Sequence, residues 1–173
     1  MAFTVEDGTG LAASNAYVSV AYVDSYFLDR NNTAWVGSTA AKQGAIIKAT
    51  DYIETRWGAR FKGRKTNISL PQALSFPRVN LVDRSGYYIT DIPEKLKKAC
   101  AEYALRALTT ELLPDPTIDD SGLAIANKRE KVGPLEEETQ YQATGAAPVL
   151  LRPYPAADRL LQEFVTTAGT NYR

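Results

Sequence analysis

The sequence predicts a mainly α-helical protein, a bundle of about four helices with a protruding β-hairpin and an extended C-terminal tail. Apolar residues recur at helical spacing in four segments, the strongest of them between Pro93 and Leu113. Two polar arms flank Gly133-Pro134 in the manner of a hairpin. The 173 residues suffice for one domain that buries roughly two-thirds of its unfolded surface. A single domain is therefore expected, with a helical core over about 17–113 and 155–168 and the hairpin over about 125–141.

Glu6-Asp7-Gly8-Thr9-Gly10 is turn chemistry and leads into a short extended piece, Ala16-Tyr17-Val18. Ser19 is a good N-cap for a first helix, with Val18 placed to staple onto Val23. Val20, Val23 and Phe27 form its buried stripe, and Asn31-Asn32 ends it. A second helix is expected from Ser38 or Thr39 to about Arg56, because Ala45, Ala49, Tyr52, Ile53 and Trp57 repeat at helical spacing. Gly44 costs that helix about 1 kcal/mol relative to alanine, which suggests a close helix contact there. Leu70 to Pro77 reads as a short helical turn with Pro71 at its first position, and Asp83-Arg84-Ser85-Gly86 reads as a tight turn.

The third helix enters through Asp91-Ile92-Pro93 and closes at Leu113-Pro114-Asp115-Pro116. It carries two apolar stripes, Leu96-Ala99-Tyr103-Ala107 and Ala101-Leu105-Leu108-Leu112, so it belongs at the centre of the bundle. An acidic loop with Asp115, Asp119 and Asp120 precedes the hairpin. A last helix is expected from about Pro155 to Ala168, with Ala157, Leu160, Leu161, Phe164 and Val165 on its apolar side.

Composition narrows the function. Lysine plus arginine and aspartate plus glutamate both total 20, so no global field draws the chain to nucleic acid or an anionic membrane. There is no histidine, which removes the commonest general base and the commonest metal ligand. The serines Ser14, Ser19, Ser38 and Ser75 then have no base to activate them and read as caps and turns. Asp115, Asp119 and Asp120 lack the calcium-loop pattern. Gly8-Thr9-Gly10 is not followed by the Gly-Lys-Ser/Thr of a phosphate loop. No catalytic residue, metal or cofactor is expected. Cys100, the single cysteine, sits among helical alanines as a buried small hydrophobe and fits a reducing compartment. No stretch approaches the roughly 20 apolar residues of a membrane span, and the first residues do not form a signal peptide.

Two segments carry the functional reading. Arg56-Trp57-Gly58-Ala59-Arg60-Phe61-Lys62-Gly63-Arg64-Lys65 interleaves cations with aromatics, a pattern that holds single strands when the rings stack under bases. Trp57 instead continues the apolar stripe of the second helix, which places the rings in the core and leaves the charges to solvent, an acidic partner or phosphate. The other segment is Lys128-Arg129-Glu130-Lys131-Val132-Gly133-Pro134-Leu135-Glu136-Glu137-Glu138, with one basic arm and one acidic arm. Neither arm buries much by itself. Another protein surface, such as the next copy of the chain, would satisfy it, and this suggests an assembly component.

Several motifs occur in a fixed order: Glu6-Asp7-Gly8-Thr9-Gly10, Asn15-Ala16-Tyr17-Val18-Ser19, Ala49-Thr50-Asp51-Tyr52-Ile53, Phe61-Lys62-Gly63-Arg64, Gln72-Ala73-Leu74-Ser75-Phe76-Pro77-Arg78, Ile92-Pro93, and Lys128 to Pro134. Together they resemble a family of small tailed-bacteriophage proteins labelled putative DnaT-like single-stranded-DNA-binding proteins, over nearly the whole chain. These are similar to helical head-tail connector (adaptor, head-completion) proteins, which form a ring, commonly of twelve copies, beneath the portal. The family often has an acidic residue where this chain has Tyr22, and the segment from Thr139 to Leu151 is longer here than expected.

The resemblance implies a structural virion protein, made in the host cytoplasm and located at the head-tail interface. Its partners would be itself, the portal and a tail or further connector (stopper) protein, with at most weak nonspecific contact to genomic DNA. Lys128, Arg129, Lys131, Val132, Leu135, Glu136, Glu137 and Glu138 would make the subunit interface. Arg60, Lys62, Arg64 and Lys65 would face the DNA channel or an acidic partner. Tyr154, Leu161, Phe164, Tyr172 and Arg173 would dock on the portal, although the last helix could equally close the chain's own core. The alternative is the replication function that the label names.

Overall fold

A computed structural model describes residues 2–67, 69–83, 85–114, 125–131, 136–141 and 152–166, with 125–131 and 136–141 described as backbone. The protein is mainly helical, and the chain divides into two compact units, Met1–Leu112 with Pro153–Arg173, and Leu113–Arg152.

In the first unit, α1 spans Val20–Leu28 and begins where sequence predicts, with the Ser19 hydroxyl accepting a hydrogen bond from Tyr22 N at 3.1 Å. Val23, Tyr26 and Phe27 are its buried face. Helix α2 spans Thr39–Trp57 behind a Ser38 cap, and Ala45, Ala49, Tyr52, Ile53 and Trp57 are all buried as expected. Gly44 is not a close helix contact: it is exposed, and a Cβ there would meet nothing within 4 Å.

Helix α3 spans Glu94–Ala107 and packs between α2 and α4, the latter spanning Pro155–Leu161. Leu96, Ala99, Tyr103 and Ala107 are buried, and Ala101 and Leu112 of the second stripe are buried too. Three tyrosines join the helices. Tyr52 of α2, Tyr103 of α3 and Tyr154 at the start of α4 have ring centroids 4.9, 5.7 and 5.9 Å apart in pairs. Phe76 is a second hub, fully buried against Tyr17, Phe61 and Phe164.

Two helix boundaries and one expected helical turn differ from expectation, and in each case competing hydrogen bonds explain why. Helix α3 stops at Ala107 and does not continue to Leu113: Thr109 N turns to the Arg106 carbonyl three residues back at 3.2 Å, and the Thr110 hydroxyl bonds the same carbonyl at 3.0 Å. Helix α4 does not run to Ala168. It gives way to a 3-10 turn, Gln162–Phe164, after which Val165 pairs with Phe61: Lys62 N donates to Phe164 O at 2.8 Å and Thr166 N to Arg60 O at 2.9 Å. Residues 70–77 form no helical turn, since distant groups take up their backbone. Ala73 N donates to Leu11 O, Ser75 N to the Glu54 carboxylate, and the Gln72 side-chain amide to Leu74 O and Pro77 O. The Phe76-Pro77 peptide bond is cis.

A short strand pair that the sequence does not announce, β1 (Arg64–Lys65) and β2 (Arg78–Val79), is antiparallel with Arg64 opposite Val79. The turn expected at 83–86 is present, and Asp83 Oδ1 accepts Ser85 N and Tyr87 N.

The second unit contains the expected hairpin. Strand β3 (Ile125–Lys131) pairs antiparallel with β4 (Glu136–Tyr141). No helix among the described residues is long and apolar enough to cross a membrane.

Candidate functional site

The hairpin register determines which of its residues share a face. Lys128 lies opposite Thr139, Arg129 opposite Glu138, Glu130 opposite Glu137 and Lys131 opposite Glu136. Because neighbours along a strand alternate faces, Arg129, Lys131, Glu136 and Glu138 fall on one face, where basic and acidic residues stand opposite one another. Lys128, Glu130, Glu137 and Thr139 fall on the other face. A bulge between Ile125 and Asn127 keeps Ile125, opposite Tyr141, on this second face. Val132 and Leu135, with the Gly133-Pro134 turn, lie outside the described residues, as do Asp115, Asp119 and Asp120.

The basic segment is partly consumed by the fold. Trp57 and Phe61 are buried, so neither ring is open to a base. Lys62 Nζ donates to Glu163 O at 2.9 Å, and Lys65 Nζ donates to Gln72 O at 2.9 Å. These two ammonium groups tie α2's exit to the last turn of the unit and to the 70–77 segment. Arg60 and Arg64 are exposed. Arg60 lies over the Trp57 ring at 5.2 Å, and neither arginine has a carboxylate partner among the described residues. Beside them, Phe61, Lys62, Gly63, Asn80, Val82 and Thr166 line an open cleft of about 530 Å³. The four cations assigned to one role thus divide into two structural ties and two exposed charges without a carboxylate partner among the described residues.

Of the C-terminal residues assigned to portal docking, three are core residues in this chain. Tyr154, Leu161 and Phe164 are all buried, packed against α2, α3 and the Phe76 hub. The helix closes the chain's own core because its apolar side finds these partners within the unit. Tyr172 and Arg173 lie outside the described residues.

Four polar groups that sequence reasoning passed over hold the loops in place. Asp158 receives Tyr103 Oη at 2.5 Å, Arg56 Nη2 at 3.0 Å and Tyr154 N at 3.0 Å, while Trp57 Nε1 donates to the Tyr103 oxygen at 3.1 Å. Burial, followed by the hydrogen bond to Asp158, pushes the Tyr103 phenol well above its ordinary pKa. Glu54 accepts the Ser75 hydroxyl at 2.6 Å and also Tyr17 Oη, whose phenol is likewise raised by burial and by the Glu54 charge.

Glu6 is almost fully buried. Its carboxylate accepts Gly10 N at 2.8 Å, Leu11 N at 3.0 Å and the Ser14 hydroxyl at 2.8 Å, so it organises the 7–14 loop from inside. Gly10 has φ +82 there, and a Cβ would stand 2.8 Å from Asn67 Nδ2. Arg78 donates from Nε to Lys62 O at 2.7 Å, from Nη1 to Ser75 O at 3.1 Å, and from Nη2 to Gly63 O at 2.8 Å and Phe61 O at 3.1 Å. Five donors in a rigid fork suit that cage of carbonyls. The only advance signals of these roles were Glu6 at the head of the Glu6 to Gly10 motif and Arg78 at the end of the Gln72 to Arg78 motif. Tyr22, where an acid would complete a capping box, instead donates its hydroxyl to Glu94 Oε1 at 2.6 Å and so links α1 to α3.

A family model described as "Putative DnaT-like ssDNA binding protein" matches residues 1–173. No curated protein and no solved structure matches the chain.

Proposed function

The chain belongs to the family of putative DnaT-like ssDNA-binding proteins, and from that starting point we propose that it is a structural subunit of a phage particle. In this reading it is a head-tail connector that assembles as a ring under the portal and continues the DNA channel. The observation that carries the proposal is the hairpin. A two-stranded ribbon is at best marginally stable alone in water, and from Asn127 to Gln140 the paired positions of this one are polar on both faces. It gains most from a second protein surface. A neighbouring copy supplies that surface in every subunit of a ring. The portal contact, which the buried residues of α4 do not provide, falls to other parts of the chain.

The second reading, single-stranded-DNA binding in replication, is favoured by the family's description and by the exposed Arg60 and Arg64. Against it stand the buried Trp57 and Phe61, which offer no stacking platform, and the engagement of Lys62 and Lys65 with backbone carbonyls. Two exposed arginines support weak, sequence-independent phosphate contact that falls steeply with salt. One experiment separates the readings. Mass measurement of the purified protein with and without its phage portal is run beside a salt-dependent oligonucleotide titration. The connector reading expects portal binding and no oligonucleotide binding at physiological salt. A low-micromolar or tighter dissociation constant for oligonucleotide, without portal binding, supports the replication reading.

A further inference from the structure

The two faces of the hairpin are not equivalent, and the difference identifies the one that meets a partner. On the face holding Arg129, Lys131, Glu136 and Glu138, each basic residue stands opposite an acidic one, and Asn127 and Gln140 complete a row of polar positions. That face is balanced in charge and suited to water. The other face holds Glu130 directly opposite Glu137, with Lys128 opposite Thr139 and Ile125 opposite Tyr141. Like charges directly opposed destabilise a strand pair. This face therefore has a directly opposed acidic pair, with Lys128 beside it as its one basic residue, and, at its base, the only two large apolar residues of the two strands. The bulge at Ala126 is what brings Ile125 onto it.

The helical unit has the complementary surface. Arg60 and Arg64 are exposed and lack a carboxylate partner among the described residues, and the cleft beside them is walled by Phe61, Gly63 and Val82, the last 40% exposed. The two arginines, without a carboxylate partner among the described residues, match the directly opposed acidic pair in charge, and the apolar wall of the cleft matches Ile125 and Tyr141, which lie beyond Lys128 and Thr139 on the same face. We propose that the Glu130/Glu137 face of one copy docks on the Arg60/Arg64 surface and adjoining cleft of a second copy. The donor and acceptor surfaces differ, so the contact is head-to-tail, which generates a ring when the rotation closes. The inference rests on the ring reading above and names the two surfaces that make its contact. It also gives Arg60 and Arg64 a protein partner in place of DNA.

Charge exchange tests this on the full-length protein, with assembly mass read by native mass spectrometry and light scattering, and folding of each variant checked by circular dichroism. The double variant E130K/E137K is expected to lower assembly at least tenfold, as is R60E/R64E. Combining all four substitutions in one chain is expected to restore rings, because each copy then presents both reversed surfaces. E136K/E138K, on the balanced face, serves as the control and is expected to assemble at least tenfold better than E130K/E137K. Wild-type rings that survive E130K/E137K, or a fourfold variant no better than either double, overturn the docking and leave the ring reading standing. A wild-type protein that stays monomeric at all concentrations and with portal overturns both.

Discussion

Replacing Asp158 by alanine is expected to destabilise the helical unit by about 3–5 kcal/mol, the cost of removing one partner from a buried ion pair. The side chains of Asp158 and Arg56 are only 11% and 13% exposed, so water compensates little. Three donors lose their acceptor at once: the Arg56 guanidinium, the Tyr103 hydroxyl and Tyr154 N at the start of α4. Each hydrogen bond to a charged group contributes about 1.5–3 kcal/mol, and some of that is recovered by local rearrangement. The loss corresponds to a fall in Tm on the order of 10–20 °C for a unit of this size. Urea unfolding followed by tryptophan fluorescence measures it, since Trp57 donates to the Tyr103 oxygen in the same network. Asp158→Asn, which keeps the shape and one acceptor, is expected to lose roughly half as much. A loss below about 1 kcal/mol for Asp158→Ala would refute the claim that this carboxylate fixes α4 to the core, and would reopen α4 as a docking helix.

Alkaline pH should also destabilise the fold. Burial pushes the Cys100 thiol up to about 12 and drives the phenols of Tyr17 and Tyr103 above their ordinary value. The folded chain keeps these protons to a higher pH than the unfolded chain does, so stability is level below about pH 8 and then falls by up to about 1.4 kcal/mol per pH unit for each group. Cys100→Ala should move the onset from near pH 9 toward pH 10, and constant stability from pH 8 to pH 11 in the wild type would contradict this. Gly44→Ala is expected to stabilise α2 by about 0.5–1 kcal/mol, because the site is an exposed helix interior with open space around it. Thermal unfolding reads it directly, and a destabilised variant would mean that Gly44 has a packing role after all.

The helices were legible in the sequence because periodic burial is a local signal. Ser19 and Ser38 marked the starts of α1 and α2, and Ala45, Ala49, Tyr52, Ile53 and Trp57 gave the buried face of α2 with its last residue. What stayed hidden depended on partners far away in the chain. Residues 70–77 have a proline at a good helical position, yet their shape is set by Glu54 and Leu11. Val165 left the helical pattern for a strand contact with Phe61, which no local propensity encodes. The basic segment was legible as composition but not as function, because a lysine bound to a backbone carbonyl and an arginine in water look alike in sequence. The buried roles of Glu6 and Arg78 stayed hidden for the same reason, although both stood in motifs: a charged residue gives no hint from its neighbours that it will be buried and bonded on all sides. In the hairpin the charge pattern was visible, but a single extra residue at the bulge decides which side Ile125 joins.

Tyr154 Oη stands 3.5 Å from Leu112 O, so the segment Leu113–Arg152 leaves and rejoins the helical unit at neighbouring points. In topological terms the segment is an insertion between two stretches of chain that together build one core. Doubling or halving such an excursion changes its closure cost by only about 0.6 kcal/mol. A longer or shorter excursion between the same two points therefore costs the packed tyrosines of α2, α3 and α4 little.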